Sequence, residues 1–145
     1  MDKLREKSDR LVSSVQLEFQ RDLLQDIKWE WRLVSLLGAR GVGKTTLLLQ
    51  RMKIAHGLDR RALYATLDDI YFTDNRLVDF ADAFYKSGGQ VLYLDEVHKY
   101  PHWAREIKNL YDAYPELRIV FTGSSIVELL KQEVDLSRRA LLYEL

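Results

Sequence analysis

The chain has 145 residues, with 22 Lys+Arg against 22 Asp+Glu and a formal net charge of +0; that length suits one compact domain, and the charge balance gives no support to binding nucleic acid or an acidic membrane through bulk positive charge. It contains no cysteine, which excludes disulfides, thiolate zinc sites, iron–sulfur clusters and a cysteine nucleophile. No apolar run reaches the ~20 residues of a membrane helix, and the mixed-charge start Met1-Asp2-Lys3-Leu4-Arg5 is not a secretory signal, so a cytoplasmic protein without membrane association is expected.

Residues 1–32 read as one long amphipathic helix. Leu11, Val15, Phe19, Leu23, Ile27 and Trp31 recur at four-residue steps, and seven basic and seven acidic residues fill the other faces. The texture changes after Arg32. Leu33 to Leu37 is an apolar run of strand length that stops at Gly38. Lys44 to about Ala55 is free of helix breakers and predicts a helix, ended by His56-Gly57. Ala62 to Leu67 is a second strand, closed by Asp68-Asp69. Arg76 to Lys86 carries Leu77, Phe80, Ala81 and Phe84 at helical spacing, and Gly88-Gly89 ends it.

Val91 to Leu94 is a third strand, stopped by Asp95-Glu96. Pro101 can open a helix, where its missing N–H costs nothing, with Trp103, Ile107, Leu110, Tyr111 and Tyr114 on one face and Pro115 closing it. Arg118 to Thr122 is a fourth strand, Ser124 to Gln132 a helix and Leu141 to Leu145 a fifth strand. Strands that alternate with helices predict a parallel α/β sheet covered on both faces, a three-layer sandwich with right-handed crossovers. The second unit is then 33–145, preceded by the long helix.

Gly38-Ala39-Arg40-Gly41-Val42-Gly43-Lys44-Thr45 fits the phosphate-loop pattern G-x-x-x-x-G-K-[ST]. Its glycines let successive backbone N–H groups curl inward onto phosphate oxygens. The following helix, carrying Thr45 and Thr46, aims its N-terminal dipole at the same place. Lys44 is placed to reach the β and γ phosphates of ATP, and the Thr45 hydroxyl to ligate Mg²⁺. The position between an apolar strand and a helix is the context the motif requires.

Val91-Leu92-Tyr93-Leu94-Asp95-Glu96 puts two carboxylates at the end of a buried strand. Asp95 can hold Mg²⁺ through water, and Glu96, one residue further into the cleft, can orient and deprotonate an attacking water. Ile119 to Ser125 is a strand ending in hydroxyls. Thr122 or Ser124 can meet the γ-phosphate or the water; Ser124 or Ser125 can equally cap a helix.

The order of phosphate loop, strand ending Asp-Glu and strand ending Thr-Gly-Ser-Ser resembles the additional-strand, catalytic-glutamate class of P-loop ATPases. Within it, the stretches Gly38–Thr46, Leu94–Lys99, Trp103, Lys108–Asp112, Phe121–Ser125 and Asp135–Arg139 are similar to a group of prokaryotic AAA-type ATP-binding proteins. The resemblance implies a P-loop NTPase sheet in the order 5-1-4-3-2. It implies Asp95 at the Mg²⁺ site, Glu96 as catalytic base, the Thr122–Ser124 end as nucleotide sensor, and Arg138 or Arg139 as arginine finger. Members of that group usually continue into a small helical lid and a C-terminal domain, so the resemblance implies that 33–145 is the ATPase core without them.

The expected function is Mg-dependent ATP hydrolysis coupled to a conformational change on a protein partner or a missing C-terminal domain, with an oligomer compatible. A small-molecule kinase using Arg138-Arg139 as a lid, and a nucleotide-gated module without turnover, are the alternatives. A GTPase is disfavoured, because His98 stands where its Asp-x-x-Gly glycine belongs. His98 and His102 have zinc-like spacing, but Pro101 interrupts it and no third ligand cluster accompanies them. Asp68-Asp69 suits helix capping better than the nucleotide edge. Trp29, Trp31 and Trp103 are expected to pack the first helix and the helix after Asp95.

Overall fold

In the computed structural model, which describes residues 2–124 and 134–145, five apolar segments become strands. These are β1 (Leu33–Leu37), β2 (Ala62–Thr66), β3 (Val91–Asp95), β4 (Arg118–Gly123) and β5 (Leu141–Glu144). All pair in parallel in the order β2-β3-β4-β1-β5, which is the expected order read from the other edge. The central strands β1 and β3 are buried along their whole length, as apolar strands covered on both faces must be.

The helices are α1 (Asp2–Ser14), α2 (Leu23–Asp26), α3 (Lys44–Ala55), α4 (Tyr71–Asp74), α5 (Leu77–Lys86), α6 (Trp103–Ala113) and α7 (Val134–Arg139). Period-two alternation sorts the strand side chains. Val34, Leu36, Ala62, Tyr64, Val91, Tyr93 and Val120 pack with Leu47, Leu48 and Met52 of α3. Leu33, Leu37, Leu63, Leu92, Leu94, Ile119 and Phe121 pack with Phe80 and Phe84 of α5 and Ile107 and Leu110 of α6. Full burial of each Val, Leu, Ile, Phe or Met among them contributes roughly 1.5–3 kcal/mol. None of the helices among the described residues is long and apolar enough to cross a membrane.

The single helix expected over 1–32 does not form. Four residues advance a helix by about 400°, so a four-residue stripe drifts ~40° per step and cannot keep facing one core. The chain breaks instead after Ser14, and Phe19 ends 89% exposed. Polar side chains of α3 take up the backbone of the break. Lys53 Nζ donates to the Ser13 and Val15 carbonyls at 3.1 and 2.9 Å, and Gln50 Nε2 to those of Gln16 and Phe19 at 2.9 and 2.6 Å.

What remains as α1 straddles the β2 edge. Leu4 joins the cluster on one face of the sheet and Val12 the cluster on the other. Arg5 donates to the Ala62 and Arg60 carbonyls at 2.6 and 2.9 Å, and Ser8 Oγ accepts the Tyr64 N–H at 3.1 Å. These contacts satisfy backbone groups that an open edge strand would present to other chains.

Two smaller departures have local causes. The helix expected to open at Pro101 begins at Trp103, because His102 adopts φ 62 and turns the chain so that the indole packs on Phe121, with ring centroids 5.7 Å apart. Arg76 cannot cap α5, so the buried Glu106 of α6 accepts the Val78 N–H at 3.0 Å. Of the helix expected over Ser124–Gln132, residues 125–132 lie outside the described residues.

Candidate nucleotide site

The turn between β1 and α3 depends on two glycines with left-handed backbone, Gly41 at φ 82 and Gly43 at φ 102. An L side chain is strained there, and Gly43 immediately precedes the first turn of α3. Lys44 is buried, and its Nζ folds back to donate to the carbonyls of Gly38 and, at 3.0 Å, Ala39. Burial pushes this ammonium below its ordinary value, while the nearby Asp95 and Glu96 pull it back up.

Parallel pairing brings the acids to this loop. β4 lies between β3 and β1, so the carboxyl ends of the three strands stand side by side under the loop. Asp95 is 2% exposed and accepts three hydroxyl hydrogen bonds: Thr45 to Oδ2 at 2.6 Å, Tyr64 to Oδ2 at 2.7 Å, and Thr122 to Oδ1. Glu96 turns away from the strand with φ 51, a left-handed conformation that costs a non-glycine residue about 1–3 kcal/mol. Its N–H donates to Thr122 Oγ1 at 2.9 Å, and Thr66 Oγ1 lies 3.4 Å from its carboxylate.

The result is one cavity of about 400 Å³, lined by Arg40, Gly41, Gly43, Lys44, Thr45, Thr46, Asp68, Asp95, Glu96, His98, Lys99 and Ser124. The Lys44 side chain, the hydroxyl residues Thr45, Thr46 and Ser124 and the carboxylates of Asp68, Asp95 and Glu96 thus surround a space that can take a phosphate chain with a hard cation. The donor set suits Mg²⁺, which prefers oxygen ligands and retains water. Thr45 Oγ1 and Asp95 Oδ2, 2.6 Å apart, are the oxygens that could hold such an ion.

Gly38, Ala39 and Val42 complete the loop; their carbonyls face Lys44 or Arg21. Thr122 is placed differently from the sequence expectation. Alternation along β4 turns it onto the α3 face, where it is fully buried, away from the cavity lining, and bonded to Asp95 and the Glu96 N–H. Of the hydroxyls closing β4, Ser124 reaches the cavity.

Arg138 and Arg139 lie at the opposite pole of the sheet. β5 starts beside Val34, at the beginning of β1, and Arg139 Nε sits 3.3 Å from Asp112 in the last turn of α6 and near the Tyr111 ring. Neither arginine reaches the cavity of its own chain, so a lid role in the same chain has no geometric basis. The Asp68-Asp69 pair divides. Asp69 accepts the Tyr71 N–H at 2.9 Å and pairs with Lys7 at 2.7 Å, whereas Asp68 lines the cavity. Trp29 and Trp103 are buried and Trp31 is 47% exposed.

Three residues at the site had no signal in the sequence. Tyr64 and Thr66 read as ordinary strand positions, and only the register Tyr64↔Tyr93 and Thr66↔Asp95 brings them to the acids. Arg21, within the expected first helix, instead donates to the Val42 carbonyl, and its Nη2 lies 3.4 Å from where a Cβ on Gly43 would be.

Comparison with known proteins bears on the family and the fold. An uncharacterized protein from Methanocaldococcus jannaschii is 40% identical over 121 residues, covering 75% of this chain and 24% of that protein; the chain thus spans about a quarter of this curated relative's length. AMPPCP-bound DnaA from Aquifex aeolicus superposes with a TM-score of 0.59 at 19% identity, covering 99% of this chain and 47% of that one. PCH-2 from C. elegans gives 0.53 at 18% identity, covering 99% and 40%. At such identities the superpositions show a shared fold and nothing more. A family model described as an AAA domain matches residues 30–145, and the chain accordingly belongs to that family, with a nucleotide-binding fold of the ATPase type.

Proposed function

We propose that the chain binds ATP with Mg²⁺ on the Gly38–Thr45 loop and hydrolyses it, and that the cycle drives a conformational change in a protein partner or a further domain. The observation that carries this reading is the convergence of Lys44, Thr45, Asp95 and Glu96 on one cavity. Mg²⁺ bound beside Thr45 and Asp95 would neutralise charge developing on the terminal phosphates. Lys44 would exchange its loop carbonyls for phosphate oxygens, a charge-assisted contact. Glu96 is the candidate base. Its backbone is held by Thr122 and its carboxylate faces the cleft, so it can orient a water and take its proton.

Arg138 is exposed at the far pole, so as an arginine finger it would serve the cavity of a neighbouring copy; Arg139, engaged with Asp112, is less free to do so.

Phosphate release by the full chain tests the reading, with ATP against GTP and with and without Mg²⁺. Metal-dependent release with ATP is expected. Lys44→Ala should abolish nucleotide binding, and Glu96→Gln should keep ATP bound while turnover stops. Normal affinity in the first variant, or unchanged release in the second, would remove that residue from its role. ATP binding without release by the unmodified chain would favour a nucleotide-gated module instead.

A further inference from the structure

Asp95 has one more hydroxyl partner than the sequence motifs supply. Thr45 belongs to the loop and Thr122 to the neighbouring strand, but the third donor is Tyr64 of β2. Its phenol donates at 2.7 Å to Oδ2, the oxygen that also takes the Thr45 hydroxyl at 2.6 Å. The side chain has little freedom. Tyr64 is 5% exposed, and its N–H is held by Ser8 Oγ at 3.1 Å in a buried contact with α1.

A ring that only filled the core would need no hydroxyl there, because burying an O–H costs free energy unless it finds a partner. The terminal torsion of an aspartate is soft. Two donors converging on one oxygen, with Thr122 on the other, restrict that torsion and keep Oδ2 turned toward Thr45.

We infer that Tyr64 is a positioning residue for the metal aspartate: its hydroxyl holds Asp95 in register with Thr45, so that the pair is arranged for Mg²⁺ before nucleotide and metal arrive. This rests on the reading that the loop binds a Mg-nucleotide. Mg²⁺ demands near-ideal octahedral geometry, so a misdirected partner carboxylate weakens it, and loss of such outer contacts typically costs about 10–100-fold in metal affinity. Through Ser8 the same tyrosine ties the metal aspartate to the helix that seals the sheet edge.

The test is equilibrium binding of a fluorescent ATP analogue (mant-ATP) to the full chain, with Mg²⁺ or with chelator. The quantity read is the ratio of the two dissociation constants. In Tyr64→Phe the metal-free affinity should stay within about twofold, while tightening by Mg²⁺ falls by about tenfold. Asp95→Asn should lose the same tightening, and adding Tyr64→Phe to it should change nothing further. A core-packing role would lower the melting temperature but leave the ratio intact.

Replacing Tyr64 with 4-aminophenylalanine keeps the ring and a donor and should hold the ratio within about threefold. If the phenylalanine variant does not fold, a tenfold loss in this folded variant overturns the inference. A full ratio in Tyr64→Phe, or additive losses in the double variant, also overturn it. No binding of mant-ATP by the unmodified chain in either condition would overturn the nucleotide reading, and this inference with it. Metal-tightened binding that ignores Tyr64 would overturn this inference alone.

Discussion

Thr122→Val isolates the hydrogen-bond knot beneath the site. Valine has nearly the shape of threonine, so packing is retained and one hydroxyl is lost. That hydroxyl donates to Asp95 Oδ1 and accepts from the Glu96 N–H, and Thr122 is 0% exposed. Water therefore cannot replace it without rearrangement. A hydrogen bond to a charged group contributes about 1.5–3 kcal/mol, and a buried donor left without an acceptor costs about 1–3 kcal/mol. The two terms overlap, because Asp95 keeps its Thr45 and Tyr64 donors, and a net loss of about 3 kcal/mol follows.

Against a domain stability of about 5–15 kcal/mol, the variant should still fold. Urea unfolding at neutral pH should show a lower midpoint with an unchanged slope, and the melting temperature should fall by roughly 10 °C. Thr122→Ser keeps the hydroxyl and should lose only about 1 kcal/mol for the missing methyl. If Thr122→Val costs less than about 0.5 kcal/mol, or no more than Thr122→Ser, the hydroxyl is not holding the acids and the reasoning fails.

Gly43→Ala must place a side chain at φ 102; a loss of about 1–3 kcal/mol is expected, together with weakened nucleotide binding, and a wild-type melting curve would contradict it. Ser8→Ala leaves the buried Tyr64 N–H without its acceptor, and hydrogen exchange at that amide should accelerate; unchanged protection would show that α1 does not seal the edge. His56 gives a pH dependence. Burial, and then the positive charges of Arg51 and Arg118, hold its imidazole below the ordinary value, and its Nε2 meets the Tyr93 hydroxyl at 2.9 Å. The unfolded chain therefore binds this proton more readily, so stability is full above pH ~6.5 and falls as the pH drops below it. Urea midpoints measured from pH 7.5 to 5.5 should decline, and less steeply in His56→Gln; identical slopes would exclude His56 as a source.

The chemistry of the site was legible where it depends on local sequence. The loop needs glycines at set offsets and a lysine at the head of a helix, and nearby residues alone satisfy that requirement. The Asp95-Glu96 pair was legible because a strand buried on both faces must be apolar, so two carboxylates at its end stand out. The N-terminal reading failed because helical spacing tests only whether side chains can share a face. It does not test whether a straight helix can follow that face, and at Ser14 the capture of backbone carbonyls by Lys53 and Gln50 prevailed. The sequence offers Thr122 or Ser124 as the hydroxyl that can meet a γ-phosphate, but which of them faces the cavity depends on strand register.

Order along the chain thus determined the strands, the helices between most of them, and the loop proposed to grip phosphate, because each follows from neighbours a few positions apart. Tertiary structure alone decided that Tyr64, Thr66 and Arg21 join the site, that Arg138 and Arg139 leave it for the opposite pole, and that α1 closes the sheet edge. Those outcomes depend on pairing between strands and on contacts across long stretches of chain, where a shift of one residue would turn every side chain to the other face.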